Sequence, residues 1–171
     1  MNTMLNPRIE KVTLNIGAGK DQNRLEKAIV LLKTITGIAP VKTVTQKRIP
    51  NWGLRPGLPI GCKITLRKKP AYELVKRLLE AKDFALAESQ FDSAGNIAFG
   101  IHEYIDIPGV KYDPKIGIIG LQVCVTLERP GYRVKKRALR TSKVGKKHAI
   151  AKQEAMDYMK NAFNVKIGEQ S

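Results

Sequence analysis

Ile9 to Ile16 alternate strictly. Val12, Leu14 and Ile16 fall on one face and Lys11, Thr13 and Asn15 on the other, the period of a half-buried strand with a polar outer surface. Gly17 and Gly19 end this strand. Asp21 then stands where a helix N-cap belongs, and Leu25, Ala28, Ile29, Leu32 and Ile35 recur at helical spacing as far as Gly37. A short strand from Val41 to Thr45 follows Pro40. Ile60, Cys62, Ile64 and Leu66 alternate with Lys63, Thr65 and Arg67, which predicts another strand with an apolar inner and a basic outer face. Pro70 suits the first turn of a second helix, with Ala71, Leu74, Leu78 and Ala81 as its buried stripe. Ile97, Phe99 and Ile101 mark a further strand. The most apolar run, Ile116 to Leu127, places Ile119, Leu121, Val123, Val125 and Leu127 on one core face. A last helix, about 152–163, presents Ala155, Met159 and Phe163 along one side, with Glu154 and Asp157 near its N-terminus.

Strands mixed with helices, without regular alternation of the two, predict an α+β fold: a mainly antiparallel sheet with helices packed on one face. No internal repeat at a solenoid period is present. With 171 residues and 43% hydrophobic content, the chain can bury one sizeable core. The expected organisation is a domain over 1–128, with a basic arm and terminal helix over 129–171 docked on it.

Charge sharpens this picture. The formal net charge of +16 is not spread evenly, because residues 27–72 and 129–153 each hold ten Lys or Arg and no acid. These stretches carry +20 between them, and the remaining residues carry −4. A partner with a dense, ordered array of negative charge fits such a concentration, and nucleic acid is that partner, bound through release of its condensed counterions. An anionic membrane is the competing polyanion. It calls for a basic amphipathic helix or a lipid anchor, whereas these stretches are broken by Pro50, Pro56, Pro59, Pro70 and Pro130. Neither a signal-peptide core nor an apolar run long enough to span a bilayer occurs, so a cytoplasmic protein is expected. The segment 83–110 holds five acids and no Lys or Arg, which predicts one acidic edge.

Candidate chemistry narrows the field further. Gly17-Ala18-Gly19-Lys20 lies between a strand and a helix, as a phosphate loop would. It lacks the preceding glycine at Leu14 and the Ser or Thr at Asp21, and Gln22 occupies the third glycine of a dinucleotide fingerprint, so it reads as a turn. Cys62 and Cys124 sit singly in apolar runs. They read as two buried thiols rather than a disulfide or zinc site, and neither His102 nor His148 has a second ligand-type residue at metal spacing. No nucleophile–base pair or carboxylate cluster argues for an enzyme, and no cofactor or metal is expected.

Two features favour binding instead. If the first and third strands are neighbours, Lys11, Thr13 and Asn15 join Lys63, Thr65 and Arg67 in one basic, hydrogen-bonding surface. An ordinary solvated sheet face is the alternative. The loop from Gln46 to Pro59 carries the only Trp between Arg48 and Arg55. Trp52 either packs inward, as a lone Trp commonly does, or stacks on an exposed base while the guanidiniums hold phosphates. The tract 129–148 has too few apolar residues to bury much of itself and is expected to be ordered mainly by its partner. A nuclear-localisation tract has the same composition.

Several blocks in order resemble one family. These are NPRIEKVTLNIGAG (Asn6–Gly19), LLKTITG with PVKT (Leu31–Thr43), LRPGLPIGCKITLR (Leu54–Arg67), FDSAGNIAFGIHE (Phe91–Glu103) and KYDPKIGIIGLQVCVTL (Lys111–Leu127). They resemble the large-subunit ribosomal proteins numbered five in bacteria and archaea and eleven in eukaryotes. The tail from Arg129 to Met156 is similar to the archaeal and eukaryotic branch. The resemblance implies a structural RNA-binding protein that attaches 5S rRNA to the central protuberance. It also implies contacts with large-subunit rRNA, P-site tRNA and neighbouring proteins of the 5S particle, and a bridge to a small-subunit head protein. By the same resemblance Asn15 and Thr65 occupy positions associated with 5S rRNA contact, and Arg8, Lys11, Thr13, Lys63 and Arg67 on the same strands are expected at that RNA with them. Arg48, Asn51, Trp52, Leu54 and Arg55 are expected to face tRNA. Arg133, Lys135, Lys136, Arg137, Arg140, Lys143, Lys146 and Lys147 are expected at rRNA phosphates. Ile38 departs from the pattern, since relatives commonly carry Gln after ITG. An architectural DNA-binding protein and a small RNA-modifying enzyme are the readings from other classes.

Overall fold

The computed structural model describes residues 2–168, so the expected extents at residue 1 and at 169–171 lie outside the described residues. The elements in chain order are β1 (Arg8–Gly17), α1 (Gln22–Thr36), β2 (Val41–Val44), β3 (Pro59–Leu66), α2 (Lys68–Glu80), β4 (Ala85–Ala87), β5 (Ile97–Ile101), β6 (Leu121–Glu128), α3 (Lys152–Phe163) and β7 (Lys166–Gly168). Five strands form one antiparallel sheet in the order β2-β3-β1-β6-β5, which realises the expected α+β class and makes β1 and β3 neighbours. β4 and β7 pair in parallel as a separate two-stranded ladder. At three residues each they are too short to leave a period in the sequence, and neither was expected.

The residues group into two compact units, one comprising 2–12, 67–99 and 124–168, the other Thr13–Leu66 and Gly100–Val123. In the second unit α1 packs on β3. Asp21 Oδ1 accepts the Asn23 and Arg24 backbone N–H groups at 3.0 and 3.2 Å, so the cap anticipated from sequence is made. Gly37, at φ +73°, closes the helix in the left-handed region that favours glycine. The buried face holds Leu25, Ala28, Leu31, Leu32 and Ile35; Leu31 widens the expected stripe, and Ile29 is only half-buried. Gly61 of β3 is fixed by close approach, since a Cβ there would lie 2.7 Å from the Ile16 carbonyl oxygen. The strand alternation holds in β1, β6 and β3 from Cys62 onward, where Val12, Leu14, Ile16, Cys62, Ile64, Leu66, Leu121, Val123, Val125 and Leu127 are buried, but Ile60 is only half-buried and Val41 and Val44 of β2 are exposed.

In the first unit α2 buries Ala71, Leu74, Val75, Leu78 and Leu79, while Ala81 is its C-cap and only half-buried. α3 buries Ala155, Met156, Met159 and Phe163, and the Phe163 ring lies 4.7 Å from that of Tyr72. One expectation fails here. Cys62 is buried and its thiol is pushed up to about 11 by desolvation, but Cys124 is exposed. It occupies an outward position of β6, between the inward Val123 and Val125, and the surrounding apolar run concealed that parity. Among the described residues no helix is long and apolar enough to cross a membrane.

Candidate nucleic-acid interface

In the second unit, β1 and β3 turn Thr13, Asn15, Lys63 and Thr65 away from the core. The Thr13 and Thr65 hydroxyls stand 3.5 Å apart, and Asn15 Nδ2 donates to Gln122 Oε1 at 3.4 Å. These side chains are held at the surface by strands whose opposite faces are buried, and they comprise one cation, Lys63, and neutral hydrogen-bonding groups but no carboxylate. Such a face can meet phosphate and sugar oxygens. Gln122 was missed by sequence reasoning, although its outward parity between Leu121 and Val123 was legible.

The loop between β2 and β3 is also fixed locally. Ile49 pairs with Leu54, and Pro50–Trp52 form one 3-10 turn closed by Gly53 at φ +66°. This geometry turns Leu54 inward, where it is buried, so Leu54 anchors the loop rather than joining its outward residues. Trp52 is 68% exposed, and Arg48, Asn51 and Arg55 are exposed around it, so the indole does not pack inward. Lys20 was not anticipated here. Its Cδ lies 3.9 Å from where a Cβ on Gly53 would be, which lays the lysine stem along the loop, while the Ala18 and Gly19 amides donate to the Ile60 carbonyl at 2.9 and 3.0 Å. The glycine-rich turn that fails as a phosphate loop thus sets a cation beside the exposed Trp loop.

In the first unit, Arg8, Arg67 and Lys136 converge on two carboxylates. Glu10 Oε1 accepts from Lys136 at 2.6 Å and Arg67 at 3.1 Å, while Glu128 accepts from Arg8 at 2.9 Å and Lys136 at 3.2 Å. Burial pushes the Glu10 carboxyl up, but its bonds to Lys136 and Arg67 outweigh that and hold it below its ordinary 4.5. Burial likewise lowers Lys136, and its two carboxylates more than reverse the effect, holding it above its ordinary 10.5. Lys136, grouped in the sequence with unpaired arm residues, is therefore tied to the strands. Lys11 is half-buried on β1.

The arm is pinned at both ends. Arg129, counted among the basic residues of the tract, is 6% exposed. It donates to the carbonyls of Leu5, His148 and Ala149 at 2.7, 3.2 and 3.3 Å and to Glu154 at 2.7 Å. Tyr132 is buried, and its hydroxyl accepts the Ile150 N–H at 2.9 Å while donating to the His148 carbonyl at 3.3 Å. The tract is therefore not wholly dependent on a partner for its order: single residues, not an apolar run, fasten residues 129–132 to 148–150. Between those ends Arg133, Lys135, Arg137, Arg140, Lys143, Lys146 and Lys147 stay exposed, with no carboxylate partner among the described residues. Lys135 Nζ lies 4.8 Å over the Tyr132 ring. Among the described residues no three metal-ligating side chains gather.

Known proteins match the chain that carries this cationic surface. The family model described as ribosomal protein L5 matches residues 2–55, and that described as the ribosomal L5P family C-terminus matches residues 59–158. The large ribosomal subunit protein uL5 of Nanoarchaeum equitans is 52% identical over 94% of this chain and 95% of its own. The uL5 proteins of Sulfolobus acidocaldarius and Methanosphaera stadtmanae are 46% and 45% identical, each over 98% of this chain and 94% and 99% of their own. Two consecutive models cover nearly the whole length and distant archaeal relatives match from end to end, so the chain belongs to the ribosomal protein L5 family, whose members are structural proteins rather than enzymes.

Proposed function

We propose that this protein attaches 5S rRNA to the central protuberance of the large subunit. It is a structural constituent of the large ribosomal subunit, working on the cytoplasmic ribosome among rRNA and other ribosomal proteins. The observation that carries the proposal is the acid-free strand face of Thr13, Asn15, Lys63 and Thr65, backed by the buried Val12, Leu14, Cys62 and Ile64. A rigid sheet presenting hydroxyl, amide and ammonium groups suits a folded RNA, whose sugar hydroxyls and phosphates lie at fixed spacings. Arg8, Lys11 and Arg67 serve the same RNA from the first unit. Arg48, Asn51, Trp52 and Arg55 face P-site tRNA, with the indole available for stacking and the guanidiniums for phosphates. The exposed cations between Arg133 and Lys147 hold large-subunit rRNA, so that a body over 1–128 and an arm over 129–171 divide the work. Neighbouring proteins of the 5S particle and a small-subunit head protein across the intersubunit bridge complete the set of partners.

Binding of 5S rRNA, tRNA and duplex DNA, matched in length and salt, tests this. Tightest binding to 5S rRNA is expected. Preference for duplex DNA would instead mark an architectural DNA-binding protein.

A further inference from the structure

Arg8, Ile9, Glu10, Arg67, Lys68 and Glu128 line a cleft of about 340 Å³ within the first unit. The Arg8 and Arg67 side chains are 62% and 56% exposed, while the Glu10 and Glu128 side chains beneath them are 7% and 16% exposed. Cations thus form the mouth and carboxylates the floor. A bare carboxylate floor would repel an anion, but each of these faces two cations: Glu10 faces Arg67 and Lys136, and Glu128 faces Arg8 and Lys136.

The donors are not exhausted. Arg8 spends Nε and one Nη2 hydrogen on Glu128, which holds its plane through two nitrogens, and Arg67 is tethered by one Nη1 hydrogen to Glu10, so each guanidinium keeps further N–H groups. Lys68 enters the cleft from a backbone with φ +58°, a left-handed conformation that costs free energy for a residue with a side chain. It has no carboxylate partner among the described residues. Arg8, Arg67, Lys68 and Lys136 against two carboxylates leave a positive surplus.

We infer that this cleft is a socket for an RNA backbone phosphodiester, in which Arg8 and Arg67 grip the anion while Glu10 and Glu128 act as positioning residues that aim the two guanidiniums. Glu10 and Glu128 belong to no RNA contact themselves, and their negative charge would by itself weaken RNA binding. Their value lies in orientation, because bidentate recognition of phosphate depends on the plane of the guanidinium. The inference rests on the RNA-binding reading above and locates one of its anchoring points.

The test uses the full-length protein with 5S rRNA and with poly(U) of the same length, at fixed ionic strength, and follows the melting temperature alongside. Glu10→Gln with Glu128→Gln removes two negative charges, so charge alone demands tighter binding of both RNAs. The socket demands about tenfold weaker binding of 5S rRNA, the scale of one lost charge-assisted hydrogen bond. Arg8→Lys with Arg67→Lys keeps the charge and removes the forks, and it too should weaken binding about tenfold at unchanged melting temperature. If both variants bind as tightly as the wild type, or more tightly, the socket is wrong. If the Gln variant does not fold, the Lys variant decides alone. A wild type that binds 5S rRNA no better than poly(U) would defeat the 5S reading instead. The same variants would then judge the socket on poly(U), where the same loss is expected.

Discussion

Asn15 and Ile64 stand on neighbouring strands with opposite duties, and substitution separates them. Asn15 points outward and makes one long hydrogen bond at an exposed position, so Asn15→Ala should leave the melting temperature nearly unchanged while weakening 5S rRNA binding about tenfold. Ile64 is buried, and Ile64→Ala should cost roughly 2 to 5 kcal/mol by lost burial and a residual cavity, with affinity per folded molecule preserved. Thermal melts paired with RNA titrations of both variants check this; an Asn15→Ala protein that melts early yet binds normally would refute the assignment. Glu10 sets a pH dependence at the same scale. Its folded pKa is depressed, so its stabilisation is complete above its ordinary 4.5 and is lost as pH falls through the lower folded value. Glu154, held down by the Ala151 N–H and by Arg129, acts in the same direction. Melting temperature should therefore drop on acidification from about pH 6 to pH 3, and less steeply in Glu10→Gln.

At the scale of elements, the loop and the arm are both built to present side chains, but by different means. Backbone geometry shapes the loop: a 3-10 turn at Pro50–Trp52, a left-handed Gly53 and the buried Leu54. Side-chain bonds close the arm, chiefly those of Arg129 and Tyr132. Deleting residues 50–56 should spare 5S rRNA binding and reduce crosslinking to P-site tRNA in assembled particles. Neutralising Lys135, Arg137 and Arg140, with Lys136 kept in its ion pairs, should lower rRNA affinity broadly and flatten its salt dependence. Equal loss of both activities in both variants would show that the chain does not divide its work this way. Arg129→Ala takes the guanidinium from the Leu5 and Ala149 carbonyls and from Glu154, leaves His148 only the Tyr132 hydroxyl, and should destabilise the protein by about 3 kcal/mol, with faster proteolysis between residues 133 and 147 as the readout.

These elements also show where sequence reading succeeds. The strand faces of β1, β3 and β6 and the cap of α1 were legible because period and capping are local. The closing of the arm was not, because Arg129 joins Leu5, His148 and Glu154 across separations that no local pattern encodes. The same holds for Glu10 and Glu128. Each looks like a stray acid on a strand until folding brings Lys136 to both, with Arg67 at Glu10 and Arg8 at Glu128.

Across the whole molecule, the ten Lys and Arg of the second basic stretch overstate the cations free to meet RNA. Within the second basic stretch Arg129, Lys136 and Lys152 already face Glu154, Glu10 with Glu128, and Glu88 respectively. Seven cations between Arg133 and Lys147 remain exposed without such partners among the described residues, and they join the strand and loop cations. Some six to ten phosphate contacts follow from that count as an order of magnitude. The most direct measurement is equilibrium affinity for 5S rRNA as a function of salt, with tRNA and duplex DNA measured beside it. We expect 5S rRNA to bind best at every ionic strength and its affinity to fall on the order of a thousandfold or more between about 50 and 200 mM salt. A nearly flat titration, or equal affinity for all three nucleic acids, would contradict the account.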